Sequence, residues 1–285
     1  MVAQELTIDR QNLVVTGWTK NATHTIFNLL GGGTYAVPNN QWTLSGDDDL
    51  TNDAEDQEEK AEEDICKTQD CENLPATQLL KLQVLYNKGL AERLGSKSKA
   101  KKKIRSAMTH VQTYYCHESL GTKVKIQLVG GMKYYDEDNW TANGQATLDR
   151  FKTIIDADFK KSKADLFVGM GSDVSPYGTV GLAWGEVVCQ PYWRTSQTSI
   201  NEYSDAIADF ANTVAHEIGH NLGMAHDFTD KHKALCNGKG IMSYGTPPKA
   251  WSACSKSDFT NHYRTTIKDT KAWCMEPAAD ACASP

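Results

Sequence analysis

The run HEIGHNLGMAHD, from His216 to Asp227, constrains this chain more than any other feature. Residues four apart on a helix share one face about a turn apart, so His216 and His220 can turn ring nitrogens toward a single ion. A straight helix supplies no third ligand. Gly223 provides the break: glycine tolerates the left-handed conformation that ends a helix, which lets the chain bring His226 back to the same point. Three neutral imidazoles leave one tetrahedral position for water, the mark of a catalytic rather than a structural zinc ion. The expected metal ligands are His216, His220 and His226, and the expected cofactor is one Zn2+.

Glu217 directly follows the first ligand, so its side chain is offset around the helix and stands beside the metal rather than on it. It is the expected catalytic base. Zinc lowers the pKa of bound water to roughly 7, a carboxylate within reach takes the proton, and the hydroxide attacks a carbonyl that the metal polarises. Return of the proton to a leaving amine completes hydrolysis of a peptide bond.

An HExxH pattern alone is a weak signal, but here the third histidine, Gly223 and a downstream GIMSYG segment (Gly240 to Gly245) agree with it. With these residues the sequence resembles the metzincin zinc metallopeptidases. Asp227 and the Met242 turn resemble the adamalysin or reprolysin branch, which includes the ADAM, ADAMTS and venom metalloproteinases. The resemblance implies that Met242 underlies the zinc histidines without ligating, and that Asp227 anchors the turn by internal hydrogen bonds. It also implies a fold of the α/β (α+β) class: a twisted mixed sheet with helices, a zinc cleft, and a small irregular C-terminal subdomain.

The periodicities suit that layout. LLKLQVLY (Leu79 to Tyr86) alternates apolar residues like a half-buried strand, and VKIQLV (Val124 to Val129), DLFVGM (Asp165 to Met170) and TVGLAW (Thr179 to Trp184) read as further strands. Apolar stripes at 104, 107, 108, 111 and 115 and at 148, 151, 154, 155 and 159 predict two helices. A third stripe, Ile200, Tyr203, Ile207, Phe210, Val214, Ile218 and Leu222, predicts one long helix carrying the histidines. By resemblance, Val180 to Trp184 is the edge strand that binds protein or peptide substrates by strand addition, with Gly181 allowing close backbone approach. Gly245 to Trp251 should line the pocket for the residue after the scissile bond.

Charge divides the chain. Asp47 to Asp64 holds eleven acidic residues and one Lys60, so it carries −10 of a net −6 and leaves +4 elsewhere. Such a block buries too little apolar surface to order itself and reads as a linker. Ca2+ is a second cation to consider there, but the carboxylates lack the glycine and turn spacing of a calcium loop and none is assignable. The basic run Lys97 to Arg105 has no interleaved aromatics and reads as a solvated loop leading into a helix, not as a nucleic-acid site. The domains expected are a β-rich prodomain-like remnant over 1–46, an acidic linker over 47–73 and the catalytic domain over 74–285.

Eight cysteines without a CxxC pair, beside a histidine-only metal site, read as disulfides and hence a secreted, extracellular protein. Sequons at Asn21 and Asn139 suit secretion. The N-terminus shows no signal peptide and no stretch is long enough for a membrane span, so the chain reads as a fragment lacking its natural start. By resemblance, Cys189 bridges to the C-terminus, with Cys274 the first partner and Cys282 the alternative. Cys236 and Cys254 flank the Met242 turn and are expected to pair. Cys66 or Cys71 could be weighed as a prodomain ligand that keeps the enzyme latent, but neither lies in a recognisable switch motif; the sequence assigns no disulfide partners to Cys66, Cys71 and Cys116.

The function expected is that of a secreted, monomeric zinc endopeptidase acting on extended protein substrates. The alternative is a catalytically weak protein of the same fold that serves as an extracellular binding or venom component; the presence of Glu217 and all three histidines favours the enzyme.

Overall fold

Gln78–Asn87 forms the strand around which the main sheet is built, and it shows why the sheet has helices on both faces. In this computed structural model the described residues are 15–20, 24–29, 34–38, 78–137, 144–159, 162–172, 180–190, 192, 196–244, 249–268 and 274–275. The chain divides into two units, Met1–Asp53 and Ala54–Pro285. In the first, β1 (Val15–Lys20), β2 (His24–Leu29) and β3 (Thr34–Pro38) make an antiparallel three-stranded sheet in sequence order.

The second unit holds β4 (Gln78–Asn87), α1 (Lys88–Arg93), α2 (Lys97–Cys116), β5 (Val124–Leu128), β6 (Lys133–Tyr135), α3 (Gly144–Asp158), β7 (Leu166–Gly171), β8 (Gly181–Ala183), β9 (Thr198–Glu202), α4 (Ile207–Asn221), α5 (Lys233–Cys236) and α6 (Ala253–His262). The sheet order is β5-β4-β7-β9-β8, with β6 also on β4. All pairs are parallel except β8 with β9. This is the mixed α/β architecture expected.

β4 differs from expectation by being buried on both faces. Leu80, Leu82, Val84 and Tyr86 pack into the larger core with α2 and α4, while Leu85 packs with Leu148, Phe151, Ile154 and Ile155 of α3. A parallel central strand flanked by crossover helices has no solvent face.

Two further expectations are corrected. The basic run Lys97 to Arg105 is not a loop but the start of α2, capped where the Lys99 amide donates to Ser96 Oγ at 3.1 Å. Lysine and arginine are good helix formers, and Ala100 and Ile104 turn inward while most of the basic side chains face outward. The long helix predicted from Ile200 is instead β9 followed by α4, which begins at Ile207. Thr198, Ser199, Ile200 and Asn201 are all fully buried between β7 and β8, so the strand lacks the alternation that identifies a half-buried one.

Cys189 bridges Cys274 and Cys236 bridges Cys254, as expected. Cys116 is also disulfide-bonded. Cys66, Cys71, Cys282, both sequons and the acidic block lie outside the described residues. Loop closure makes the two bridges unequal: separations of 85 and 18 residues correspond to roughly 4.5 and 3 kcal/mol of restricted unfolded-state entropy. Denaturant titration should therefore find the Cys189→Ser/Cys274→Ser pair less stable than Cys236→Ser/Cys254→Ser.

Candidate metal centre

The helix α4 sits where its polar and apolar demands are both met. Phe210, Ala211, Val214, Ala215 and Ile218 are fully buried against the core, and Tyr115 of α2 donates its hydroxyl proton to Ala215 O at 2.9 Å. His216 and His220 lie on the neighbouring face, which lines a cleft of about 790 Å³ together with β8, Glu217, His226 and Tyr244.

The turn expected at Gly223 is present. Gly223 has φ +90°, its amide donates to His220 O at 3.0 Å, and the Met224 amide donates to Gly219 O at 2.9 Å. These two bonds form a Schellman cap, in which glycine avoids the Cβ penalty of the left-handed region. The chain reverses and carries His226 back to the helix. His226 Nε2 then lies 3.0 Å from His220 Nε2 and 3.1 Å from His216 Nε2.

The protons on these rings are fixed by their outer partners. His216 Nδ1 lies 2.8 Å from Ile241 O and His220 Nδ1 lies 2.8 Å from Met224 O. A carbonyl only accepts, so Nδ1 is the protonated nitrogen in both and each Nε2 offers a lone pair inward. Burial lowers the pKa of all three rings; with crowding by the other imidazoles it takes His220 down to about 3 and His226 to about 4. Neutral lone pairs converging at this distance call for a cation between them. Tetrahedral zinc with bonds of about 2.05 Å would set its ligand nitrogens about 3.3 Å apart, close to the spacing found. The residues fit the ion.

Glu217 stands in the same cleft, and burial pushes its carboxyl up to about 8. Its neighbour across the cleft is unexpected. A Cβ built on Gly181 would lie 2.5 Å from Glu217 Oε1 and 2.8 Å from Cδ. The bare backbone expected to admit substrate therefore first accommodates the chain's own carboxylate. Gly181→Ala should displace Glu217 and lower peptide turnover sharply while leaving zinc content unchanged; parallel turnover and metal measurements on the variant test this.

Met242 is fully buried beneath the helix, with its sulfur 2.8 Å from where a Gly219 Cβ would stand. Asp227 is fully buried and accepts from Ser243 Oγ at 2.9 Å and Ser252 Oγ at 2.5 Å, while its own amide donates to Met242 O at 3.0 Å. It ties the His226 turn to the Met242 turn by internal hydrogen bonds. Of the expected pocket segment, residues 245–248 lie outside the described residues.

Some residues at the site had no role assigned from sequence. Asn221 donates to Trp184 O at 2.8 Å and Thr198 O at 2.9 Å, locking α4 to β9 and to the residue that follows the edge strand β8. Phe228 stacks on the His226 ring at 4.5 Å, and Tyr244, 70% exposed, closes on both at 4.4 and 5.0 Å. Phe228 directly follows HExxHxxGxxHD and Tyr244 lies within GIMSYG; only the folded turn shows that they share one wall.

Residues 101–227 match the model for the metallo-peptidase family M12B, reprolysin-like. Over 82 residues the chain is 40% identical to the snake venom metalloproteinase trimerelysin-2 of Protobothrops flavoviridis, covering 28% of this chain and 39% of that protein. It is 28% identical over 188 residues to snake venom metalloproteinase TM-1 of Protobothrops mucrosquamatus, covering 64% and 86%. It is 40% identical over 92 residues to a disintegrin and metalloproteinase with thrombospondin motifs 6 of Homo sapiens, covering 30% and 8%. The matched stretch thus spans less than two thirds of the first and third of these relatives.

Proposed function

We propose, from the match of residues 101–227 to the reprolysin-like M12B family and from the venom relatives, that this protein is a zinc-dependent endopeptidase whose metal ligands are His216, His220 and His226 and whose general base is Glu217. The observation that carries the reading is the convergence of three neutral imidazole nitrogens beside a buried carboxylate in one cleft. All four residues come from one chain, so a monomer suffices.

A zinc ion held there would supply Lewis acidity, polarising the scissile carbonyl and easing loss of a proton from water. Glu217 accepts that proton and returns it to the leaving amine. Gly181 leaves its carboxylate room beside the reacting atoms. β8 borders the cleft and pairs with β9 on one side only among the described residues. Its other side is suited to an extended substrate segment, which would add as a further strand and present its carbonyl above the histidines. His216 and His220 are held in the ligating tautomer by their Nδ1 bonds.

The disulfides and the venom relatives support a secreted location, and no helix among the described residues is long and apolar enough to cross a membrane. The test is cleavage of a casein-like protein by the purified chain, with and without a zinc chelator. Chelator-sensitive cleavage supports the proposal; zinc binding without any cleavage would instead favour a binding protein that kept the fold.

A further inference from the structure

His226 is the one proposed ligand that α4 does not carry, so its position depends on what holds the loop after Gly223. That role falls to α6, through side chains unusual for a buried helix face. Ser252, its N-cap, and then Ser255, Asp258 and His262 recur every three or four residues, the spacing of one face, and none is more than 7% exposed. All four meet the 223–232 segment. Ser252 donates to Asp227, and Ser255 Oγ lies 3.5 Å from the same Oδ1. Asp258 Oδ2 accepts the Ala225 amide proton at 3.1 Å, and its Oδ1 accepts from Lys231 Nζ at 2.8 Å. His232 Nε2 lies 3.4 Å from Asp258 Oδ2. A Cβ on Gly223 would meet the His262 Cβ at 2.8 Å.

The face thus grips the backbone on both sides of His226: Ala225 through Asp258, and Asp227 through Ser252. Asp227 also bonds Ser243, so that side has a second anchor. Among these contacts the Ala225 side has Asp258. Asp258 further joins Ala225 to Lys231 and His232, fixing the two ends of the loop relative to each other. A carboxylate is expensive to bury, and this one is matched by an amide, an ammonium and an imidazole.

We propose that Asp258 is a positioning residue for the third metal ligand: by holding the Ala225 amide it sets where His226 Nε2 stands, and so sets metal affinity. The inference rests on the metal centre proposed above. Metal sites tolerate misplacement of only about half an ångström, and loss of an outer partner typically weakens metal binding roughly 10- to 100-fold.

The full chain and its Asp258→Ala and Asp258→Asn variants are titrated with Zn2+ against a competing chelator, and with Co2+ followed by visible absorption. Melting of the metal-free forms is recorded in parallel. Asp258→Ala is expected to weaken Zn2+ binding roughly 10- to 100-fold and to shift the Co2+ spectrum toward that of His226→Ala. Asp258→Asn keeps an oxygen that can accept the Ala225 amide proton, so it should retain more affinity and a spectrum nearer the wild type. It also serves as the measure if the alanine variant does not fold: it should still bind Zn2+ more weakly than the wild type. Lowered melting with unchanged affinity and spectrum in the folded variants overturns the inference, because Asp258 would then be a purely structural brace. A wild-type chain that binds no Zn2+ overturns the metal centre itself.

Discussion

Glu217→Ala is expected to abolish peptide hydrolysis while leaving zinc content and fold intact. Glu217 is proposed as base and not as ligand, so its removal takes away proton transfer and none of the three metal bonds. General acid-base catalysis contributes on the order of a hundred- to ten-thousand-fold. Here one carboxylate serves both water activation and leaving-group protonation, which puts the loss at the top of that range or beyond. Truncation also empties space against Gly181 rather than crowding it, since Glu217 Oε1 occupies the place a Cβ there would need. The measurement is turnover of a casein-like substrate with a chelator control. Retention of more than about a tenth of wild-type activity, against that expected loss, would mean that the base lies elsewhere.

His220→Ala should have an equally large effect by another route, reducing bound zinc from one ion toward none and activity with it. His220 Nδ1 is held by Met224 O on one side and its Nε2 faces His226 Nε2 on the other, so the proposed ligand nitrogen is fixed in place. Metal analysis of wild type and variant after equilibration with limiting zinc provides the test. Unchanged zinc content in the variant would sink the ligand assignment. Chelation of the wild type should reproduce the activity loss reversibly, and added zinc should restore it to the wild type but not to His220→Ala.

These two variants separate binding from chemistry, which the sequence already distinguishes by position. Residues four apart share a helix face, whereas a residue one step on is rotated away, so the roles proposed for His216 and His220 differ from that proposed for Glu217 before any coordinate is known. The same local logic made Gly223 legible, because only the backbone conformation of one residue had to be inferred. The helices of α2 and α3 and the strands β4, β5 and β7 were visible for a similar reason: their apolar residues repeat with a period that survives in the sequence.

β9 escaped because its buried residues are mostly polar. Thr198, Ser199 and Asn201 are fully buried between neighbouring strands, where Asn201 Nδ2 donates to Gly169 O at 3.2 Å, and hydropathy does not register such burial. The polar face of α6 was hidden in the same way, since Ser255, Asp258 and His262 resemble an exposed face until their partners are known.

The sequence by itself determined the residues proposed as ligands and base, the turn that brings them together and most of the regular elements, because each depends on residues close together in the chain. Only the tertiary structure decided what surrounds them. Gly181 meeting Glu217, Asn221 joining α4 to β9 and the end of β8, and Asp258 holding Ala225 are contacts across 36, 23 to 37 and 33 residues. No local period encodes them: each arises when two segments, folded for their own reasons, are packed into the same place.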